Sequence, residues 1–451
     1  MITESMQKLA KEYIDFQKTS SSPFHAVSTL KKWFESKNYQ QLNLEDSVKL
    51  IPGKRYLIPH HDGKSIICVI AGKQNPADSG FNIAGAHTDS PVLRLRLNPW
   101  SGDQDLVKLE TQNHGGIIAR TWLDRPLKIS GAVWKIERDK KGKVEFCPGT
   151  NLPRLKKSLV QSNAPIAVIP DIAIHLDPMK NTQGEINFET MLSAFVGSGL
   201  SMEDSKELFW TSMGQKPSDI DGFELCLSPW QDHELTGLEG CYITGPRHDD
   251  LAMVFAVAKS LPDQDDQFIP EKTCVGAFFD AEETGSVTCS GAASSFLKDT
   301  LLRIASRHPA PAKSSMIESA LNKSYFISAD MAHAYHPAHP NKYDQNHRLK
   351  VNGGLVLKEN ANDRYATSGE SGTMFRAICE AGDVPLQGYI NRQDLGCGST
   401  IGPTLSAQLS CQGVDVGTAM WAMHSTGETM GTRDLEYACK AFEVFFRGSP
   451  S

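Results

Sequence analysis

Two adjacent glutamates, Glu282 and Glu283, follow an apolar run from Cys274 to Phe279 and precede Gly285. The run is typical of a buried strand, and a glycine allows the chain to turn directly after it. Because neighbouring side chains of an extended segment point in different directions, one carboxylate could bind a metal ion while the other holds a water molecule or takes up its proton. Two adjacent glutamates without other functional residues nearby more often form a solvated acidic loop. A catalytic interpretation therefore depends on which other residues the fold brings close to them.

Other residues with metal-binding side chains occupy similar positions, at the ends of strand-like runs or just before a helix. They are His87 and Asp89 after residues 83–86, Asp249 before the helix-like run 252–258, Asp330 after residues 325–329, and His424 after residues 419–423. In an open α/β sheet, functional groups gather beyond the carboxyl ends of the strands. A set of imidazoles and carboxylates gathered there suits Zn²⁺ or a similar divalent ion.

The order of these residues resembles the two-metal aminopeptidases, and more narrowly the aspartyl aminopeptidase family M18. Four motifs carry the resemblance: Gly-Ala-His-Thr-Asp-Ser-Pro at 85–91, Asp-Ala-Glu-Glu-Thr-Gly-Ser at 280–286, Ser-Ala-Asp-Met-Ala-His-Ala at 328–334 and Lys-Glu-Asn-Ala-Asn-Asp-Arg-Tyr-Ala at 358–366. The agreement runs in order from about residue 22 to residue 446, which is more specific than any single motif. Ala281 and Asp250 stand where the family usually has asparagine, and neither departure removes a proposed ligand.

The resemblance implies two divalent metal ions per chain, with Zn²⁺ preferred and Co²⁺ or Mn²⁺ as alternatives. In this scheme Asp249 bridges the two ions. His87 and Asp330 complete one site, and Glu283 and His424 complete the other. The resemblance also implies a cis peptide bond between Asp249 and the residue that follows it.

The same resemblance implies roles for residues around the ions. Glu282 is expected to be the general base, which takes the proton of the water and later delivers it to the leaving amine. Asp89 is expected to accept the second imidazole N–H of His87 and so to fix its tautomer. The residues expected to contact the substrate are His175, His333, Lys358 and Tyr365.

A lysine near the site could pair with an acidic side chain of the substrate. The resemblance implies release of an N-terminal amino acid, Asp or Glu, from peptides with a free N-terminus. Three alternatives stay open: an aminopeptidase of the same family that prefers neutral residues, another two-metal enzyme such as a carboxypeptidase or deacylase, and a non-catalytic assembly protein on the same fold.

The pattern of helix-like and strand-like runs divides the chain into three parts. At 451 residues the chain is long enough for two or three domains. Helical and strand-like runs alternate in residues 1–91 and 241–451, which predicts an α/β catalytic domain with a mixed sheet. One of the predicted helices runs from residue 291 to residue 304. Short strands and turns in residues 92–240 predict an inserted, β-rich domain. The resemblance implies that this insert is a dimerisation domain, that the chain forms a homo-oligomer, a dodecamer built from dimers, and that His175, on an apolar strand at 172–177, enters a neighbour's active site.

Composition excludes several classes of partner. The net charge of −7 provides no basic surface for nucleic acid. No stretch approaches the roughly 18 apolar residues that a membrane span needs. The ten cysteines include no Cys-x-x-Cys pair, and the first residues do not resemble a signal peptide, so we expect reduced thiols and a cytoplasmic location.

A second histidine-rich segment, His60-His61-Asp62-Gly63, resembles a metal site at first sight. Asp-Gly between two strand-like runs is a strong signal for a hairpin. The segment is therefore interpreted as a turn.

Overall fold

The computed structural model describes residues 2–43, 50–261, 268–313 and 316–448. The helices are α1 (Glu4–Lys18), α2 (Pro23–Glu35), α3 (Pro76–Ser79), α4 (Lys180–Gln183), α5 (Met202–Ser212), α6 (His248–Ser260), α7 (Phe296–Arg307), α8 (Ser319–Asn322), α9 (Gly369–Ala381), α10 (Ile401–Leu409) and α11 (Thr432–Arg447). The strands are β1 (Gln40–Gln41), β2 (Arg55–Pro59), β3 (Ile66–Ile70), β4 (Phe81–His87), β5 (Val92–Asp103), β6 (Leu106–His114), β7 (Leu127–Ile136), β8 (Leu155–Gln161), β9 (Ala194–Ser198), β10 (Gly222–Pro229), β11 (Glu234–Thr236), β12 (Tyr242–Gly245), β13 (Thr273–Phe279), β14 (Tyr325–Ala329), β15 (Ala332–His333), β16 (Leu355–Glu359), β17 (Leu386–Ile390), β18 (Gln412–Trp421) and β19 (Glu428–Gly431).

These elements form two compact units. The first unit consists of Met1–Ser90, His233–Met423 and Glu428–Ser451, and the second consists of Pro91–Asp232 and His424–Gly427. No helix within the described residues combines the length and the apolar character that crossing a bilayer requires.

A mixed sheet organises the first unit. Its strand order is β1-β2-β3-β13-β4-β14-β18-β19-β12-β11; β15 and β16 also pair with β18, and β17 pairs with β16. The central strand β4 pairs in parallel with β13 on one side and with β14 on the other. The mixed α/β fold predicted from the sequence is confirmed.

Helices cover both faces of this sheet, so its central strands are apolar on both sides. Alternate residues of a strand enter different cores, because successive side chains point to opposite faces. Ala84 and Phe278 pack into the core that contains α1, α6 and α11. Ile83 and Ala277, their neighbours in sequence, pack into the core that contains α7 and α10. Burial on both faces explains why these strands are continuous apolar runs rather than alternating ones.

The second unit is built on an antiparallel sheet with the order β8-β7-β10-β5-β6-β9. Its core contains Leu93 and Leu127 from the strands, with Phe209 and Trp210 from α5.

Two segments differ from the secondary structure predicted for them. The helix expected from residue 291 begins only at Phe296, and the residues before it form turns in which the Gly291 N–H is held by Thr288 Oγ1 at 2.9 Å. The apolar strand expected at 172–177 was wrong: residues 174–176 form a turn, closed by a hydrogen bond from Leu176 N to Ala173 O.

Candidate metal centre

Three parallel strands of the first unit bring the predicted metal ligands to one edge of the sheet. His87 is the last residue of β4 and pairs with Phe279, the last residue of β13. The turn that carries Glu282 and Glu283 therefore begins beside His87. Asp330 directly follows β14, the other neighbour of β4. The carboxyl ends of adjacent parallel strands lie at the same edge, which is where α/β proteins place functional groups.

Asp249 enters this edge from the start of α6. Neither Asp249 nor Asp250 has helical backbone angles, and the peptide bond between them is cis, as the resemblance implied. Two buried groups hold the backbone of Asp249. Its N–H donates to Glu428 Oε2 at 3.1 Å, and its carbonyl accepts a hydrogen bond from Ser90 Oγ at 2.8 Å.

The side chains converge closely enough to share a metal ion. Ligand atoms of His87, Asp249, Asp250 and Asp330 lie within 4.8 Å of one another, and all four residues are buried. His87 Nε2 is 3.2 Å from Asp249 Oδ1. Ligand atoms of His87, Glu282 and Glu283 also lie within 4.8 Å of one another. The structure thus brings together six acidic or imidazole side chains in the interior of one unit.

Burial and neighbouring charges shift the pKa values of the ionisable groups in this cluster. Burial raises the pKa of Glu282 to about 8, and the neighbouring Asp330 and Asp249 charges contribute. Burial also raises the pKa of Asp330 to about 6, although Lys358 opposes the shift. For His87 burial alone would lower the pKa, but the surrounding carboxylates, Asp250 first, outweigh it and raise the pKa. Several buried carboxylates at such distances repel one another unless a cation compensates their charge.

The donors present fit a divalent ion. One imidazole and several carboxylates form the mixed nitrogen and oxygen set that Zn²⁺ and its neighbours prefer. Asp250 Oδ1 is buried and has no hydrogen-bond donor within the described part of the chain. An ion in the cluster would supply the missing positive partner.

Asp89 holds the glutamate turn rather than only the imidazole. Its two carboxylate oxygens accept the backbone N–H groups of Glu282 at 3.0 Å and Glu283 at 3.3 Å. His87 Nδ1 lies 3.0 Å from the backbone oxygen of Asp89 and 3.3 Å from its Oδ1. One buried carboxylate thus fixes the proposed base and the proposed ligand beside it, which the sequence did not reveal.

The two departures from the family pattern have physical explanations in this structure. Ala281 adopts φ +65°, in the left-handed region that asparagine and glycine enter more easily than alanine. Asp250 Oδ2 accepts the backbone N–H of His87 at 3.1 Å. Burial raises the pKa of Asp250 well above its usual range. The carboxyl oxygen of Asp250 thus accepts a hydrogen bond that the side-chain carbonyl of an asparagine could also accept.

The predicted substrate contacts of the first unit differ in exposure. Lys358 is 3% exposed; its Nζ donates to Met331 O at 2.6 Å and lies 3.8 Å from Asp330 Oδ1. The ring of Tyr365 lies 5.6 Å from the same Nζ. His333 is exposed and lines a cavity of about 290 Å³. Lys358 is therefore tied to the residue that the sequence assigns as a metal ligand, whereas His333 faces open space.

The two remaining predicted site residues belong to the second unit. His424 has φ +69°, and its Nδ1 lies 2.9 Å from Gly116 O. His175 lies in an exposed turn between Ile174 and Leu176, which are 45% and 75% exposed. Their roles as metal ligand and substrate contact remain predictions.

The sequence did not indicate that Asp250 belongs to the cluster or that Glu428 holds the backbone of Asp249. Asp250 forms an Asp-Asp pair with the predicted bridge, and that pairing was the only available signal. Glu428 is 1% exposed and lies four positions after His424 in a segment whose polar composition gave no indication of burial.

An α/β sheet with buried imidazole and carboxylate donors at its strand ends is typical of metal-dependent hydrolases. The family model described as "Aminopeptidase I zinc metalloprotease (M18)" matches residues 16–446. A relative described as "Probable M18 family aminopeptidase 2", from Pseudomonas putida (strain GB-1), is 37% identical over 440 residues, covering 96% of this chain and 97% of the relative. The chain belongs to the M18 family and is a metalloaminopeptidase, which confirms the predicted enzyme class.

Solved structures agree with this assignment. A structure described as the Ape4 and Nbr1 complex superimposes with a TM-score of 0.89 at 32% identity, covering 98% of this chain and 86% of that chain. An M18 aminopeptidase from Thermotoga maritima superimposes with a TM-score of 0.83 at 22% identity, covering 99% and 97%. The second identity is low enough that the likeness supports the shared fold alone.

Proposed function

We propose that this metalloaminopeptidase releases N-terminal Asp or Glu from peptides, with two divalent ions per chain and Glu282 as the general base. The observation that carries the proposal is the buried cluster of His87, Asp249 and Asp330 with the glutamate turn beside it. The family description as a zinc metalloprotease supports Zn²⁺, and Co²⁺ and Mn²⁺ remain compatible with the same donors.

Each proposed ligand has a distinct task. By transfer from the family pattern, Asp249 would hold both ions, His87 and Asp330 would hold one, and Glu283 and His424 would hold the other. When bound, the ions supply Lewis acidity that polarises the scissile carbonyl and lowers the pKa of water. The backbone of Asp249, the proposed shared ligand, is held by its hydrogen bonds with Glu428 and Ser90.

Glu282 performs the proton transfers in this proposal. Its carboxylate takes the proton of the attacking water and then delivers it to the leaving amine. The hydrogen bond from Glu282 N to Asp89 fixes the backbone from which this side chain extends. Because Asp89 already fixes the backbone of Glu282, the base loses little conformational entropy when the substrate binds, and this lowers the barrier to the reaction.

Lys358 is the residue that we propose for the acidic preference. A buried ammonium has three N–H donors, and the carbonyl of Met331 accepts from one of them. The nearby Asp330 carboxylate partly compensates the charge of Lys358. This compensation also favours the alternative of a neutral substrate residue, so the preference needs a direct measurement.

The test compares Asp-, Glu- and Leu-p-nitroanilide on metal-saturated protein. We expect a higher kcat/KM for the acidic substrates, and a Lys358→Met variant in which the Asp-to-Leu ratio falls by at least about tenfold, the loss of one charge-assisted pair. Lys259→Met is the matched control, because Lys259 pairs with Glu12 in the last turn of α6, at the opposite end from Asp249, and should leave the ratio unchanged. A wild-type preference for Leu, or a lowered ratio only in the control, contradicts the acidic preference. No hydrolysis of any of these substrates at metal saturation contradicts the peptidase mechanism itself.

We also propose that the chain assembles into a closed homo-oligomer, a dodecamer built from dimers, through the inserted domain that the sequence predicts at residues 92–240. Apolar side chains exposed around His175, namely Ile172, Ile174 and Leu176, support an interface there. A structural neighbour is described as the Saccharomyces cerevisiae mApe1 dodecamer, and at 23% identity it shares the fold.

Buried thiols such as Cys68, which a reducing compartment preserves, support the predicted cytoplasmic location.

Mixed oligomers test the shared site. Chains with His175→Ala and chains with Glu282→Gln are each expected to be inactive, and co-assembly after dissociation should restore part of the activity. Restored activity requires that one chain supplies the histidine to the other chain's base. Verified mixed oligomers that stay inactive would place each active site within one chain.

A further inference from the structure

The histidine-rich segment between β2 and β3 is a turn, as predicted, but a turn with metal-binding side chains. His60 N donates to Ser65 O at 2.9 Å and Gly63 N donates to His60 O at 3.0 Å, with φ +79° at Gly63. The rings of His60 and His61 have centroids 4.1 Å apart. His60 also packs against the ring of Phe296 at 4.9 Å, which orients it.

A thiol from a distant part of the chain completes this group. Cys289 lies beyond the glutamate turn and is exposed, whereas the other cysteines are buried or partly buried. A ring nitrogen of His60, one of His61 and the sulfur of Cys289 all lie within 4.8 Å of one another. In a tetrahedral zinc site, bonds of about 2.0–2.3 Å place neighbouring ligand atoms about 3.3–3.8 Å apart. Small rotations of the exposed His61 and Cys289 side chains are enough to reach that spacing.

Asp62 gives the group a negative neighbour. Its Oδ1 lies 2.9 Å from His60 Nδ1, and its Oδ2 lies 3.9 Å from Cys289 Sγ. Asp62 can therefore offer either a fourth ligand or a partner that holds an imidazole in place.

We propose that His60, His61 and Cys289, with the Asp62 carboxylate, form a separate Zn²⁺ site of the imidazole and thiolate class. Two nitrogens and one sulfur suit Zn²⁺ better than the harder Mg²⁺, Ca²⁺ or Mn²⁺. On binding, the Cys289 thiol releases its proton to solvent and the sulfur becomes a thiolate ligand. The thiolate and the Asp62 carboxylate together balance the two positive charges of the ion.

The site would couple two segments that flank the candidate catalytic residues. Ser65 Oγ donates to Ser290 O at 2.8 Å and accepts the N–H of Asp280 at 2.9 Å. Lys64 O accepts a hydrogen bond from Thr88 Oγ1 at 2.7 Å. Together with the Ser65–Ser290 hydrogen bond, an ion held by His60 and Cys289 would add a further tie between this turn and the segment that follows the glutamates. Zn²⁺ bound there stabilises the position of that segment.

Cobalt substitution tests the proposal without any activity measurement. Every donor of the candidate catalytic centre is nitrogen or oxygen, so a thiolate-to-cobalt charge-transfer band in the near ultraviolet reports only a cysteine ligand. Reduced, chelator-treated full-length protein is titrated with Co²⁺. We expect the band in the wild type, its loss in Cys289→Ser and in His61→Ala, and one fewer Co²⁺ equivalent per chain in Cys289→Ser. Cys147→Ser, which removes a partly buried thiol of the second unit, is the matched control and keeps the band.

Alkylation provides a second, independent measurement. Zn²⁺ at ten times its Kd is expected to slow the iodoacetamide modification of Cys289 by about tenfold in the wild type, since only the free fraction reacts, and to give no protection in His61→Ala. The proposal is overturned if wild-type protein with a reduced Cys289 shows no band, if the band persists in Cys289→Ser, or if zinc gives no protection. Peptidase activity enters none of these outcomes.

Discussion

Replacement of Asp89 by asparagine tests how the glutamate turn is held. The carboxylate accepts the backbone N–H groups of Glu282 and Glu283, and both of its oxygens are used. Asparagine offers a single carbonyl oxygen and no charge. One N–H therefore loses its acceptor in a buried site, and the other loses the contribution of the charge.

The structure gives the size of the expected effect. A hydrogen bond to a charged group contributes about 1 kcal/mol more than a hydrogen bond to a neutral group, and a buried donor left without an acceptor costs about 1–3 kcal/mol. A combined loss of about 2–4 kcal/mol in holding Glu282 corresponds to a decrease in kcat of about 30- to 1,000-fold. The effect acts through the position of the base, because Asp89 itself does not touch the reacting atoms in this scheme.

The assay measures kcat of Asp89→Asn at metal saturation together with metal content by mass spectrometry. Asp434→Asn is the matched control, since Asp434 is also a buried carboxylate that accepts two backbone N–H groups, from Asn352 at 2.6 Å and Gly354 at 2.9 Å. The control should keep the wild-type kcat. Wild-type turnover by metal-loaded Asp89→Asn, or full recovery by added metal alone, would refute the reasoning.

Further variants probe the base, the bridge, the backbone and the pH dependence. Glu282→Gln should keep its metal and lose about two to three decades of kcat, because an amide cannot take a proton; normal single-turnover rates in a metallated variant would contradict this. Asp249→Ala should lose both ions on dialysis, since one carboxylate serves both, and metal analysis that finds two ions per chain would exclude the bridge. Ala281→Gly should raise the free energy of unfolding in urea by up to about 1 kcal/mol, because glycine adopts φ +65° without a Cβ penalty. Burial raises the pKa of Asp434 from 3.8 to about 7, so the folded chain holds a proton that the unfolded chain releases, and stability should fall as pH rises from about 4 to about 7. Asp434→Asn should flatten this fall, which is on the order of 4 kcal/mol at most, and unchanged pH dependence in urea titrations would show that Asp434 is not its source.

Strand ends were the most predictable part of the fold. The apolar run before Asp280 and the run 325–329 correspond to β13 and β14, because each is buried on both faces and each stops at a polar residue. Their order in the sheet was not predictable. β13 inserts between β3 and β4, a pairing between residues almost two hundred positions apart, and no local pattern encodes it.

Two segments whose secondary structure was predicted wrongly have identifiable physical causes. Residues 172–177 alternate between apolar and other side chains, but alternation specifies which side chains share a face and not whether a partner strand is present. Here the segment turns and its apolar residues stay exposed. Before α7, small residues and the Thr288 side chain offer hydrogen bonds to the backbone that compete with the first helical turn.

The candidate centre was predictable in its side chains and not in its backbone contacts. His87, Asp249, Asp330 and the two glutamates are each marked by residue type and by position after a strand or before a helix. Every residue except proline carries a backbone N–H, so no residue type marks the two N–H groups that bond to Asp89. Asp250 and Glu428 were missed for a related reason, since burial of a carboxylate depends on packing that forms only in the folded chain.

Chain order has a consequence for biosynthesis. The central strand β4 is translated early, but both of its partners, β13 and β14, are encoded after the whole of Pro91–Asp232. During translation β4 leaves the ribosome as an apolar strand with two open edges, while the intervening antiparallel unit already has nearly all of its residues and can fold. An unpaired apolar edge is prone to association with other chains. The nascent chain should therefore depend on chaperone protection from the emergence of residue 81 until β14 has been synthesised, and ribosome profiling of chaperone-bound chains should show its binding window over that interval.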